Sequence, residues 1–353
     1  MPQKDHLPVM DPALVQAFQT NGLVLMGISD LEPFSTREDY YQSWIQEGNQ
    51  GEMSYLERHS SLKYHPDRIL PGCRTVLVVG LSYWQEGFVQ PNQGKIARYA
   101  WGRDYHKVLG KSLTRIAKDL EARYPNETFR GFTDATPLDE RYFAERAGAG
   151  FMGKNNLLIS SVYGSWFFLG ELLTTKTWPR TQIPEGIHGA CPKGCRKCLD
   201  VCPTGALVDE YKMDPRLCIS YLTIEYKGSI PLELRPKMGS WIFGCDLCQE
   251  VCPIQLRKKT TSVVDFTAWK AGPGVSLFEI LTMNIENFVK KFAGTPVMRT
   301  GLESLQRNAC IAAGNLRDQA SLEPLKGWAN STHSLLKEHA QWALNQWVEG
   351  VVQ

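Results

Sequence analysis

The sequence predicts an α+β or α/β amino-terminal lobe, then a loop-rich, cysteine-dense insert, then an α-helical carboxy-terminal segment. Three observations point to this order. Helix-like and strand-like stretches alternate over residues 1–185, eight of the ten cysteines fall within 186–260, and apolar residues recur at three- and four-residue spacing within 261–353. A chain of 353 residues suits two or three modest domains and a sizeable core.

Each element has its own signal. "DPALVQAFQTNG" carries helical apolar spacing and stops at Gly22, a residue suited to a C-cap. "MSYLERHSSLKYHPDRILPG" reads as a helix that breaks into a proline-containing loop, with Arg58 and Arg68 as anion contacts or surface charges. "TVLVVGLSY", Thr75 to Tyr83, is short, β-branched and apolar, which predicts a buried strand. In "ARYAWGRDYHKVLG", Asp104 is placed to cap a helix that continues through "KSLTRIAKDLEARY". Asp104-x-His106 also comes within one residue of the Asp-x-His-x-x-Gly pattern of a cobalt-ligating histidine, although helix capping explains it more simply. "NLLISSVYGSWFFLGELLTT" predicts two adjacent strands turning at Tyr163-Gly164. "TGLESLQRNACIAAGNL" and "STHSLLKEHAQWALNQWVEG" predict a pair of helices of the kind found in HEAT-like repeats.

Composition limits the function classes. Hydrophobic content of 43% with 22% charged residues describes a globular chain, and a net charge of +2 means that nucleic-acid binding would need a local basic patch. "MPQKDHLPVM" lacks the basic and long apolar regions of a secretory signal, and no apolar run is long enough to span a bilayer, so a cytoplasmic setting without membrane contact is expected. Thiols stay reduced there, and clustered cysteines favour metal over disulfides.

The spacing narrows the metal. "CPKGCRKCLDVCP" supplies Cys191, Cys195, Cys198 and Cys202, followed by Pro203; a second group supplies Cys218, Cys245, Cys248 and Cys252, followed by Pro253. Structural zinc usually takes two close pairs of ligands. Here three close thiolates precede a fourth that lies further on and is followed by proline, the ferredoxin-like arrangement in which the fourth cysteine serves the other cluster. Two [4Fe-4S] clusters follow: Cys191, Cys195, Cys198 and Cys252 for the first, and Cys202, Cys218, Cys245 and Cys248 for the second. The gap from Cys191 to Cys195 holds three residues rather than two, and Gly194 helps the wider loop to close. Paired zinc sites are the competing reading. Cys73 and Cys310 lie beside apolar runs and are assigned to core packing.

Two clusters imply electron transfer to a site in the first lobe. The richest stretch there is "GFTDATPLDERYFAERAGAGFMGKNNLLI". Asp134, on a turn beside glycines, is either a general acid whose pKa burial would raise or a turn cap; Arg141 and Lys154 are solvated charges by default.

At this point the chain resembles the epoxyqueuosine reductase family. The resemblance runs from about Gly22 to Asn315 and rests on "GEMSYLERH", "HPDRILPGCRTVLVVGLSY", "RYAWGRDYHKVL", "ERAGAGFMGKNNLLI", "GSWFFLGELLTT", "CISYLTIE", "GCDLCQEVCP" and "RTGLESLQRNACIAAGN". It implies three parts: a cobalamin-binding catalytic domain over 1–185, a ferredoxin-like domain over 186–260 and a helical, HEAT-like region over 261–353. It implies reduction of epoxyqueuosine at the tRNA wobble position to queuosine by cob(I)alamin chemistry, with electrons from an external low-potential donor and Asp134 as proton donor. Base-off cobalamin would be held by Arg58, Tyr99, Ala100, Asp134, Lys154, Ser165, Asp246 and Leu247. tRNA contacts are expected from Arg257, Lys258, Lys259, Lys290, Lys291, Arg299 and Arg307, with Ser220, Tyr221 and Thr223 facing the substrate, in an enzyme acting as a monomer. Asp134-Ala135-Thr136-Pro137 stands where the family commonly has Asp-Thr-Gly-Pro. A reductive dehalogenase-like corrinoid enzyme acting on a small molecule is the alternative; an electron carrier and a zinc-stabilised RNA-binding module account for less of the sequence.

Overall fold

The computed structural model describes residues 10–32, 35–134, 137–182, 189–254 and 258–349. Among them, nine strands form three sheets. The strands are β1 (Val24–Ser29), β2 (Thr75–Ser82), β3 (Gln93–Ile96), β4 (Phe129–Phe132) and β5 (Phe151–Met152), followed by β6 (Leu158–Ile159), β7 (Phe167–Thr174), β8 (Trp241–Phe243) and β9 (Gly274–Ser276).

The main sheet has the order β1-β2-β7-β4, and every pairing in it is antiparallel. This settles the lobe as α+β and corrects the α/β reading. All eight residues of β2 are buried because both faces of the sheet are covered. On one face Leu77, Val79 and Leu81 pack with the Pro12–Thr20 and Tyr105–Arg123 helices; on the other Val76 and Val78 pack with the Glu140–Arg146 helix. A strand buried on both faces is an unbroken apolar run in either sheet type, so its sequence does not disclose direction. The first helix starts where Asp11 accepts a hydrogen bond from the Ala13 N–H (2.9 Å) and ends before Gly22, whose φ is +76°.

The Tyr163-Gly164 turn forms, with Ser160 and Gly164 exchanging both backbone hydrogen bonds. Its flanks do not pair with each other: β6 joins β5, while β7 enters the main sheet beside β2 and β4. The two strands were expected to be adjacent. The long apolar β7 instead takes the position that buries both its faces.

The small sheet, β8-β3-β9, draws one strand from each of the three sequence regions, with β3 parallel to β8 and antiparallel to β9. Behind it the Leu302–Leu316 helix packs against Ser334–Glu349, with Leu322–Ala329 between them in sequence. No helix among the described residues is long and apolar enough to cross a membrane.

Candidate active site

Asp134 follows β4 directly. Thr133 anchors the turn by donating from Oγ1 to the Leu169 carbonyl of β7 (3.0 Å), and Asp134 itself is left-handed at φ +46°. The Asp134 carboxylate accepts a hydrogen bond from the Tyr105 hydroxyl and lies 3.4 Å from His106 Nε2. Both partners sit in the first turn of the Tyr105–Arg123 helix, which Asp104 caps as the sequence predicts. Asp104 does more than cap: its Oδ1 lies 2.7 Å from His106 Nδ1. The Tyr105 ring is stacked on Phe168 of β7, with centroids 4.1 Å apart, which fixes the direction of its hydroxyl.

The electrostatics invert the expected protonation. Burial alone would raise the Asp134 carboxyl, but hydrogen bonds from His106 and Tyr105 and the His106 charge outweigh it and hold Asp134 below its ordinary value. Burial likewise opposes a charge on His106, yet Asp104 and Asp134 together push its pKa up to about 9. Near neutral pH Asp134 is therefore the carboxylate and His106 holds the proton. With both ring nitrogens facing carboxylates, His106 has none to offer a metal, which agrees with preferring the cap over cobalt ligation.

A cavity of about 500 Å³ opens from Asp134 toward the cysteine lobe. Tyr99, Tyr105, Phe167 and Phe168 line it from the first lobe, with Ser165, Asp246 and Leu247 nearby. Gln249 Nε2 donates to Ser165 Oγ (2.9 Å), and buried Asp246 accepts the Arg98 backbone N–H (2.7 Å) while desolvation raises its pKa to about 7. Cys202, Cys218, Cys245 and Cys248 all open onto the same cavity. Cys198 is not among these, and lies near Cys191, Cys252 and Cys248. All the cysteines are free thiols.

A second cavity, of about 560 Å³, shares Tyr99, Tyr105, Asp134 and Ser220 with the first and adds His106, Tyr55, Tyr221 and Arg299. Arg299 pairs with Glu225 at 2.8 Å and lies over the Tyr55 ring. The structure thus brings Asp134, Tyr99, Ser165, Asp246, Leu247, Ser220, Tyr221 and Arg299 to connected cavities.

Other expected site residues lie elsewhere. Arg58 is exposed and lines neither cavity. Ala100 is fully buried in the core. Lys154 is 6% exposed and committed to Glu210 Oε1 (2.5 Å) and the Cys195 carbonyl (3.0 Å), while its backbone N–H reaches Cys191 Sγ (3.4 Å). That places it beside the first cysteine group. Thr223 is buried, with Oγ1 donating to the Ile219 carbonyl (2.7 Å) and accepting the Gly244 N–H (2.9 Å), so it cannot face a substrate. Arg307 is buried too, donating to the carbonyls of Leu222, Tyr226 and Gly228. It splints the turn after the Ile219–Ile224 helix and is unavailable to phosphate. Lys258 rests over Trp84, Lys259 is exposed, and Lys291 pairs with Glu279. Arg257 lies outside the described residues. Sequence reasoning did not join Tyr105 and His106 to Asp134. The available signal was the polar crowding of "RDYH" at a helix start.

An α+β lobe whose proton-bearing cluster faces a double set of cluster-type thiols belongs to an iron–sulfur oxidoreductase. The model of a "4Fe-4S double cluster binding domain" matches residues 191–255, and that of "Epoxyqueuosine reductase QueG, DUF1730" matches residues 63–135. The epoxyqueuosine reductase of Pseudomonas aeruginosa is 38% identical over 357 residues, covering 98% of this chain and 98% of its own. The crystal structure of an epoxyqueuosine reductase with a tRNA-Tyr epoxyqueuosine-modified tRNA stem loop superposes with a TM-score of 0.85 at 27% identity, covering 95% of this chain and 89% of that one. The Bacillus subtilis enzyme, solved "with the Asp134 catalytic loop swung out of the active site", gives 0.82 at 27% identity with the same coverage. The chain belongs to the epoxyqueuosine reductase family.

Proposed function

We propose that this protein reduces epoxyqueuosine in the anticodon loop of tRNA to queuosine. The observation that carries the reading is the shared cavity: Asp134 lines one side and the four thiols Cys202, Cys218, Cys245 and Cys248 line the other. Opening an epoxide to an alkene consumes two electrons and two protons and releases the oxygen as water. The thiol groups would hold two [4Fe-4S] clusters, one from Cys191, Cys195, Cys198 and Cys252 and one from the cavity-lining four. Burial raises the thiols of Cys198, Cys218, Cys245 and Cys248, so thiolates form there only under the charge of a bound metal.

The residues between acid and thiols fit a corrinoid. Aromatic and aliphatic side chains form much of the cavity wall, the Leu247 segment adjoins the second cysteine group, and both ring nitrogens of His106 are engaged by carboxylates. When bound, the corrinoid supplies the low-potential, nucleophilic metal centre that no side chain provides. Tyr99, Ser165, Asp246 and Leu247 would hold it.

The chain's own task is to move protons. Asp134 passes a proton from His106 Nε2 to the departing oxygen, and Asp104 holds the imidazole in the orientation that points Nε2 at Asp134. Tyr105 fixes the Asp134 rotamer. Ser220, Tyr221 and Arg299 would receive the nucleoside in the second cavity, with Lys258 and Lys259 available to phosphate. Electrons would reach the first cluster from an external donor, and the helices of 302–349 form a short HEAT-like buttress. The test is anaerobic reconstitution with iron, sulfide, cobalamin and reductant, followed by assay of an epoxyqueuosine-containing stem loop. Queuosine should form only with cobalamin present; turnover without it overturns the reading.

A further inference from the structure

The main sheet holds one acid in a place that packing alone would not choose. Glu171 lies in the middle of β7, opposite Phe132 of β4 and Val78 of β2, and is 0% exposed. Its strand neighbours on the same face, Leu169 and Leu173, are apolar and belong to the core beneath the Glu140–Arg146 helix. No donor group reaches either Glu171 oxygen, and the neighbour in hydrogen-bond contact is another acceptor, the Glu140 carboxyl. The group that acts on it most strongly after burial is the Glu140 carboxyl. Two carboxylates so placed cannot both stay charged, whereas one proton on either completes a bond between them.

Glu140 has a second contact. Its Oε1 accepts the backbone N–H of Asp134 at 2.5 Å. This bond falls on a residue that is left-handed at φ +46°, a region that aspartate enters more readily than most non-glycine residues but still uncommonly.

We propose that Glu140 and Glu171 share a single proton, and that this pair positions the acid by holding the Asp134 backbone through its N–H. Glu140 is thus a positioning residue and Glu171 the buried partner that keeps it in place. The inference rests on the role given to Asp134 above. Burial raises both carboxyls, with Asp134 adding to the effect on each and Asp139 adding to that on Glu171, while Lys63 opposes it at Glu140. Asp139 is occupied elsewhere, accepting from the Tyr64 hydroxyl (3.1 Å) and the Tyr142 N–H (3.2 Å). Arg141 donates to the Asn156 carbonyl (2.7 Å) and acts on Asp139 and Lys63 rather than on the pair. As pH rises the pair loses its proton, the two charges repel, and the hold on Asp134 weakens.

The test pairs amide exchange at Asp134 with stem-loop turnover in the reconstituted holoenzyme, using Glu140→Ala, Glu140→Gln and Glu171→Gln. Glu140→Ala should expose the Asp134 amide to exchange and lower turnover about a hundredfold while leaving stem-loop affinity nearly unchanged, because only the aim of the acid is lost. Glu140→Gln keeps an acceptor oxygen and should restore protection. Glu171→Gln donates an amide N–H that needs no shared proton, so protection should persist and lose the alkaline weakening seen in the parent after correction for intrinsic exchange. Iron content checks that each variant folds. Unchanged Asp134 exchange in Glu140→Ala, or the parent's pH dependence retained in Glu171→Gln, overturns the proposal. If the exchange results hold but the parent never forms queuosine, the positioning stands and the functional reading falls.

Discussion

Replacing His106 with asparagine removes the proton store while keeping a side chain that can hydrogen-bond Asp134. In the native site Asp104 at 2.7 Å and Asp134 at 3.4 Å lift the imidazole from its ordinary 6.5 to about 9, against the opposing effect of burial. That rise favours the imidazolium by on the order of 3 kcal/mol. The native rate should thus hold through neutral pH and fall as pH passes about 9. In His106→Asn the proton must come from Asp134 itself, whose carboxyl loses the lowering effect of His106 but keeps that of the Tyr105 hydrogen bond. With the proton store gone, turnover near neutrality should fall about a hundredfold or more. The assay is single-turnover conversion of the stem loop by pre-reduced holoenzyme across pH 5 to 10, so that electron delivery does not mask proton transfer. Asp104→Asn should move the alkaline limb part of the way down, because one of the two carboxylates that raise His106 is gone. A His106→Asn enzyme with native rate at neutral pH and a limb still near about 9 would refute the assignment of the proton to His106. The same raised pKa makes a linkage prediction: its contribution to stability is complete below 6.5 and lost as pH climbs through about 9.

Other expectations follow from the same geometry. Cys248→Ala should lower iron from about eight to about four per chain while the first cluster's signal persists; loss of both clusters would show that the two sets do not load separately. Arg307→Met strands the carbonyls of Leu222, Tyr226 and Gly228, so chemical denaturation should report a loss of about 3 kcal/mol or more, and a change under about 1 kcal/mol would contradict the splint. Lys258→Gln should weaken stem-loop binding and reduce its salt slope by about one unit without altering iron content; an unchanged salt slope would remove it from the phosphate contacts.

What the sequence disclosed depended on how local the cause was. Asp104 as a helix cap, Gly22 as a helix stop and the cysteine spacing are short-range patterns, and each appears where expected. Strand direction was hidden because β2 is covered on both faces, and the partner of β6 was hidden because pairing is decided by which strand buries more. The site divides in the same way. Asp134 stood out by its turn and its family motif, but its protonation state is set by a helix start about thirty residues earlier in the chain. Basic residues carry no mark of burial in sequence, so Arg307 read the same as Arg299 although one is a splint and the other faces a cavity. Glu171 left one clue, a lone acid inside "FFLGELLT".

The three-stranded sheet bears on how the protein is made. β3 ends at residue 96, yet its parallel neighbour begins at 241 and its antiparallel one at 274. As the polypeptide leaves the ribosome, β3 waits for nearly 180 further residues before both its edges are occupied, and such distant closures are slow. The eight clustered thiols, Cys191 to Cys252, are translated before β9 exists. A nascent chain halted before residue 274 would keep an unpaired strand edge beside its thiols, and that truncated species is where aggregation and cluster misassembly would begin.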